Sequence, residues 1–424
     1  MTSSSPLGVL RVARATQVPP AARVPSARSH SRGFRASRRR RRLACVVAAT
    51  ALVFLSAAPA HADGIRPQQW GLDALNTDHA WRTTKGEGVT VAVLDTGVDD
   101  QHPDLDGNVL PGKDFIGFGA GPGDRSWARH GTAMAGIIAA HGRGPEDRDG
   151  VMGIAPKAKI LPVRVILEGT DPARGKARSS RGTALAQGIR WAADQGADVI
   201  NLSLGDDSES AHAEASEDAA VQYALAKGSV VVASAGNGGE KGDRISYPAA
   251  YPGVIAVTAV DRFGSHAAFS TQRWYATVSA PGVDIVIPDP DRKYYEGWGT
   301  SAAAAFVSGA VALVRAAHPD LKPAQVKKLI ADTARDRPQG GRDDARGNGM
   351  VDPAAAIDRA KGLRPRDPRQ STAGYAKKYF GPGPQLDQPD HAPVGWLAPL
   401  AGGVGALVLV GAVVLWRADR DDLG

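Results

Sequence analysis

Hydrophobic and polar positions in this chain fall into two kinds of run that take turns. Continuous apolar stretches, rich in valine and isoleucine, occupy 89–94, 160–165, 199–204, 230–235 and 254–259. Short unbroken runs of this sort predict strands covered on both faces. Between them, 133–140, 183–193 and 216–226 read as helices, and a longer run covers 301–317. That last run is apolar nearly all round, so it predicts a central, buried helix. A further helix is expected from Pro323, a favoured first-turn residue, to about Ala334. The alternation predicts an α/β fold: a doubly wound, mainly parallel sheet with helices on both faces.

Two apolar stretches fall outside this pattern. Leu43–Ala58 follows the five arginines Arg38–Arg42 and precedes Ala60-His61-Ala62. A basic lead, a short apolar region and an A-x-A site predict a secretory signal over 1–62, with cleavage after Ala62. Leu397 to Leu415 is nineteen residues without a charge, bracketed by Trp396 and Trp416. At about 1.5 Å per residue it reaches roughly 28 Å, enough to cross a bilayer. It predicts a single transmembrane helix over 396–416, with residues 417–424 as a cytoplasmic tail. Six prolines between 361 and 395 predict a semi-extended linker there. One large domain remains at 86–360, preceded by an extension at 63–85. The expected location is the cell membrane, with that domain outside the cytoplasm.

Charge changes the picture less than it first promises. The whole chain carries +7, which suggests an anionic partner. Eleven arginines lie in residues 1–62, without one lysine or acid, and the rest holds 40 basic against 44 acidic residues. No nucleic-acid signature survives that division. Cys45 is the only cysteine and lies in the predicted signal, so the exported part is expected to lack disulfides. Asp99, Asp100, Asp104 and Asp106 form an acidic cluster, read first as a solvated loop. No cofactor or metal is expected.

The chemistry lies in three short blocks. They are Val91-Ala92-Val93-Leu94-Asp95-Thr96-Gly97, His130-Gly131-Thr132-Ala133-Met134-Ala135-Gly136 and Gly299-Thr300-Ser301-Ala302-Ala303-Ala304. Asp95, His130 and Ser301 supply an acid, an imidazole and a hydroxyl, the parts of a hydroxyl-nucleophile machine. Taken singly, each block reads as a turn, a loop histidine or a helix cap. Their conjunction is what carries weight, since each reactive residue sits where a strand ends or a helix begins. The order Asp…His…Ser is the subtilisin order. A fourth block, Val230 to Asn237, ends a strand-like run on a carboxamide. Asn237, with the Ser301 N–H, is a candidate oxyanion donor. In a fifth block, Val199 to Gly205, the end Ser203-Leu204-Gly205 is a candidate edge for pairing with a substrate backbone.

These blocks resemble subtilisin-like serine proteases, the peptidase S8 family. Further features resemble the mycosins, the membrane-anchored proteases of actinobacterial type VII secretion. They include Ile65 to Leu72 after the signal, Asp95 to Asp99 with His102-Pro103-Asp104-Leu105, Ala133 where most subtilisins have a second histidine, and the linker with its apolar end. The resemblance implies a subtilisin-like fold and a serine endopeptidase that processes exported proteins. It also implies that 63–85 wraps the catalytic domain rather than folding alone. Secreted protein or peptide substrates, the membrane and type VII secretion subunits are the implied partners. Competing readings are a structural subunit of the secretion complex and a broad-specificity surface protease. The chain departs from the usual Gly-Thr-Ser-Phe-Ala-Ala-Pro at Ala302 and Ala305, which bears on substrate preference.

Overall fold

The computed structural model describes residues 63–178, 181–209, 211–363 and 410–412. The predicted signal (1–62), most of the linker, the tail and all but three residues of the predicted span therefore lie outside the described residues. Of the span, residues 410–412 are helical.

Eleven strands are described: β1 Thr90–Asp95, β2 Lys113–Asp114, β3 His141–Arg143, β4 Asp149–Met152, β5 Lys159–Arg164, β6 Val199–Leu202, β7 Val230–Ser234, β8 Ile255–Val260, β9 Ala276–Pro281, β10 Ile285–Pro288 and β11 Tyr294–Gly297. The α-helices are α1 Trp70–Ala74, α2 Thr77–Trp81, α3 Arg129–Ala139, α4 Arg174–Arg178, α5 Arg181–Asp194, α6 Ala215–Lys227, α7 Thr300–Ala317, α8 Pro323–Asp332 and α9 Pro353–Ala360. Seven strands form one sheet in the order β2-β5-β1-β6-β7-β8-β9, and each pairing in it is parallel. The pairs β3–β4 and β10–β11 are small antiparallel hairpins.

Period-two burial explains the two helical layers. In β1, Val91 and Val93 join the core beneath α3, α7, α8 and α9, whereas Ala92 and Leu94 face the core formed with α5 and α6. Successive strand side chains point to opposite faces, so apolar residues at every position need cover on both sides. The five predicted strands lie within a residue or two of their expected limits. Strand β6 stops at Leu202, leaving Ser203–Gly205 just past its end, because the chain there leaves the ladder.

Helix α7 is the spine. Fifteen of its residues, Thr300 to Val314, are buried. By length and composition it is apolar enough to cross a membrane, yet here it is the core of the domain. It packs so closely that a Cβ on Gly309 would lie 2.6 Å from the Cβ of Ile154.

Residues 63–85 form a short 3₁₀ turn, α1 and α2, and they lie against the same core. Trp81 Nε1 donates to the Ile154 carbonyl (2.8 Å), and Trp70 Nε1 donates to the Val283 carbonyl (3.1 Å). Gln69 makes two hydrogen bonds with the Met152 backbone, at 2.8 and 2.9 Å. Leu72, Leu75 and Ala80 are buried in the α7-side core.

The acidic cluster is not the solvated loop its composition suggests. Asp100 and Asp106 are exposed, but Asp99 and Asp104 are buried. Asp104 Oδ2 accepts from Val151 N–H (2.9 Å) and Tyr294 O–H (2.7 Å), while Asp99 pairs with Arg292. The loop after β1 runs beneath both hairpins, and these partners come from distant parts of the chain. Among the described residues, no group of three or more His, Cys, Asp or Glu side chains is placed to hold a metal ion.

Overfilling the α7 contact tests this packing. Gly309→Val is expected to cost about 1–3 kcal/mol, lowering the thermal midpoint by roughly 2–4 °C for each kcal/mol. Scanning calorimetry measures it, and an unchanged midpoint would mean that Gly309 does not bear on Ile154.

Candidate active site

Asp95 ends β1, the strand from which the chain passes to β5 on one side and β6 on the other. Open α/β sheets place their sites at such a switch point, beyond the carboxyl ends of the strands. The Asp95 side chain has no solvent exposure, and its Oδ1 accepts from Thr96 N–H at 2.7 Å. Its main partner is His130, whose Nδ1 lies 2.8 Å from both carboxylate oxygens.

Local backbone chemistry brings the two together. Ala128 takes a left-handed conformation (φ 55°), and α3 starts at Arg129, so His130 is inside the first turn rather than before the helix. Gly131 passes so near Gly97 that a Cβ would sit 1.9 Å from its carbonyl oxygen. No side chain fits there. The Gly131 N–H donates to Thr96 Oγ1 (3.1 Å), and the His130 N–H donates to Glu168 Oε1 (2.7 Å).

This geometry sets the state of the ring. Nδ1 faces a carboxylate and so carries the proton, leaving Nε2 as the basic nitrogen. Burial works against the imidazolium, but the Asp95 charge, its hydrogen bond and the Glu168 charge outweigh it, and the pKa of His130 is raised.

Ser301 is the second residue of α7, entered through Gly299 at φ 147°. Its N–H is among the first-turn groups that have no acceptor within the helix. Its Oγ donates to the Ser203 carbonyl (3.1 Å), while Ser203 Oγ donates back to the Ser301 carbonyl (2.8 Å). This reciprocal pair ties the loop after β6 to the start of α7. No hydrogen bond joins Ser301 Oγ to His130, although both line one cleft; such bonds are often loose without substrate.

Asn237 stands beside them. Its Oδ1 accepts from both the N–H (3.0 Å) and the hydroxyl (2.9 Å) of Thr300. Two donors on the oxygen fix the amide orientation and leave Nδ2 as the end that can donate to a ligand. The cleft of about 240 Å³ is lined by His130, Ser203, Leu204, Gly205, Asn237 and Ser301, among others. All the site residues expected from the sequence line it except Asp95, which sits behind His130.

Other lining residues were not legible in the sequence. Glu168 and Ile166 come from the loop after β5, which is next to β1 only through the sheet order. Arg129, paired with Asp289 at 2.6 Å, and Tyr295 bring the β10–β11 hairpin to the wall. Ser246 lines the cleft near Gly205 and Gly236, whose missing side chains leave room for its hydroxyl. These residues lack a local motif, so only long-range topology reveals them.

A buried carboxylate–imidazole pair, a hydroxyl at a helix start and an amide donor in one cleft define the class of hydroxyl-nucleophile hydrolases. Comparison with known proteins narrows this. The subtilase family description matches residues 86–349, and the chain belongs to that family. A thermophilic serine proteinase from Bacillus sp. (strain AK1) is 42% identical over 269 residues, covering 63% of this chain and 61% of that protein. Thermitase from Thermoactinomyces vulgaris is 38% identical over 267 residues, covering 63% of this chain and 88% of thermitase. The matched region thus spans less than two thirds of the first relative. The crystal structure of MycP1 from Mycobacterium smegmatis matches with 32% identity and a TM-score of 0.59, covering 70% of this chain and 86% of that one. By family and by structure the chain is subtilisin-like, and it closely resembles the solved mycosins.

The raised His130 pKa has a definite sign. A ring that holds its proton more tightly becomes a free base only at higher pH. The acid limb of kcat/KM is therefore expected above the ordinary histidine value of about 6.5. Asp95→Asn removes the main cause of the rise and should shift the limb down while activity falls roughly 10⁴-fold. A pH–rate profile of both proteins reads this, and an identical limb in the variant would detach Asp95 from the titration.

Proposed function

We propose that this chain is a membrane-anchored, extracytoplasmic serine endopeptidase, a mycosin that processes one or a few proteins exported by a type VII secretion system. The observation that carries the catalytic part is the Asp95–His130 contact opening onto the cleft that Ser301 and Asn237 share. Ser301 Oγ attacks the scissile carbonyl while His130 Nε2 takes its proton and later passes it to the leaving amine. Asp95 stays ionised, holds the ring by Nδ1 and stabilises the imidazolium that forms. Negative charge growing on the carbonyl oxygen meets Asn237 Nδ2 and the Ser301 N–H. The substrate backbone extends along Ser203–Gly205, in the manner of a strand added to an edge.

The exported, anchored setting draws on other support. The signal pattern of 1–62 and the uncharged stretch between Trp396 and Trp416 favour it. A solved MycP1 is described as an essential component of the type VII (ESX-1) secretion system, at 33% identity and a TM-score of 0.59. A second solved relative is the MycP3 protease of the type VII (ESX-3) system.

Three measurements test these parts separately. A fluorophosphonate probe should label the full chain and not Ser301→Ala. Asn237→Ala should keep the label but lose about 10²–10³ in kcat, the loss typical of removing this donor in subtilisin. Equal labelling of Ser301→Ala would remove Ser301 as nucleophile. For the anchor, full-length protein should stay with membranes through a carbonate wash, whereas a chain lacking 396–424 should be released. Release of both would exclude a spanning helix.

A further inference from the structure

We propose that Asp149 is a binding site for the new amino terminus made when the signal is removed. The α-ammonium of Asp63 forms an ion pair with the Asp149 carboxylate that only the processed protein can have. The inference rests on the export reading above.

Three observations carry it. First, the Asp63 backbone nitrogen, the atom that becomes the terminus after cleavage at Ala62, donates to Asp149 Oδ1 at 3.1 Å. Second, both carboxylate oxygens of the residue bearing that nitrogen are hydrogen-bonded. Its Oδ2 accepts from Gly150 N–H (2.8 Å) and Arg143 Nη2 (3.0 Å), and its Oδ1 from Ile65 N–H (3.1 Å). Third, Asp149 is half-buried and has no Lys, Arg or His partner at ion-pair distance among the described residues. Among the described residues its one hydrogen-bond donor is that nitrogen, and its Oδ2 lies 2.6 Å from where a Cβ on Gly144 would stand. A partly enclosed carboxylate served by one neutral N–H is short of positive charge.

The surroundings deepen that shortage. Beside Asp149, the carboxylates of Asp104, Asp63 and Asp147 act on the Arg66 guanidinium, and Arg143 pairs with Asp63 and Asp104. Glu146 and Arg148 pair with each other at the exposed rim. Counting Asp149, four carboxylates face two cations, and an ammonium at Asp63 supplies a third. Hydrolysis of the Ala62–Asp63 amide, with water as co-reactant and a signal peptidase as catalyst, leaves a carboxylate on Ala62 and an amine on Asp63 that takes up a proton. The consequence reaches the cleft. Asp63 is joined through Arg143 to Tyr294 on β11, whose neighbour Tyr295 lines the cleft wall. Signal removal thus adds a positive charge to the clamp that seats 63–85.

The experiment uses the full chain processed in its host and purified in detergent. Amino-terminal sequencing should read Asp63 first. A variant with Gln-Thr inserted between Ala62 and Asp63 keeps the peptide N–H but moves the charge away. Its thermal midpoint should be about 2–4 °C lower at pH 7, and Asp149→Asn should lower the midpoint by as much in the native-start protein but not in the inserted one. A terminal amine titrates near 8 unpaired and higher when paired. The stabilisation is therefore full below about pH 8 and lost as pH rises through the paired value, so the difference should vanish by about pH 10.5. If the insertion is trimmed back to Asp63, Asp149→Asn alone, at both pH values, decides. A processed protein starting elsewhere, or midpoints insensitive to both changes, would overturn the ion pair while leaving export intact. An unprocessed chain would overturn both.

Discussion

Burial of one charged carboxylate organises this molecule. Asp95 sits at the carboxyl end of the strand where the sheet changes direction, out of contact with solvent. A carboxylate there persists only if it is paired and hydrogen-bonded, because the uncompensated charge costs several kcal/mol. The chain answers with Thr96 N–H and His130 Nδ1 on the carboxylate and Thr96 Oγ1 on the Gly131 N–H. Gly131 lacks a side chain because its backbone nearly touches the Gly97 carbonyl, and Gly97 turns the chain there at φ 104°. The tautomer of His130 is a by-product of solving this burial problem. Stability and chemistry are thus satisfied by the same contacts, and neither can be altered alone.

Helix α7 supplies the second constraint. A helix buried on all sides cannot slide, since every face meets packed side chains. Its first turn is therefore a rigid mount for Ser301, and the reciprocal hydrogen bonds with Ser203 lock that mount to the sheet. Thr300 does the same for Asn237, using its N–H and hydroxyl on one oxygen. Ser301 and Asn237 are thereby referred to a single backbone segment. Ala305 is fully buried within this regular helix, and the helix path is unbroken there.

What was legible in the sequence follows from how local each signal is. The five central strands are continuous apolar runs, and α7 is an apolar run too long for a strand, so both read directly. Asp95, His130, Ser301 and Asn237 sit at the ends of such runs, within motifs of a few residues. By contrast, β9 to β11 carry mixed sequences such as Tyr294-Tyr295-Glu296-Gly297, and α9 is a two-turn helix rich in alanine. Glu168 and Ser246 reach the cleft only because β5 adjoins β1 and because two glycines make space. The buried Asp99 and Asp104 mislead for the same reason: four aspartates close together look solvated until Arg292, Tyr294 and Val151 arrive from far along the chain.

The extension at 63–85 shows how a domain with no cysteine after Cys45 closes its apolar surface. Loop closure by disulfide stabilises chiefly through the unfolded chain. Here the gain comes instead from burial of Leu72, Leu75 and Ala80, and from indole donors that satisfy carbonyls at Val283 and Ile154. Those carbonyls follow β9 and β4, at two separated points of the α7-side core. Gly71 completes the seat, since a Cβ there would strike the Phe306 ring at 2.6 Å. A strap held at its tryptophans and at Asp63 resists peeling from either end. The helix that mounts Ser301 therefore has the strap across one flank and the sheet across the other, so the seat of Ser301 includes residues more than 200 positions earlier in the chain.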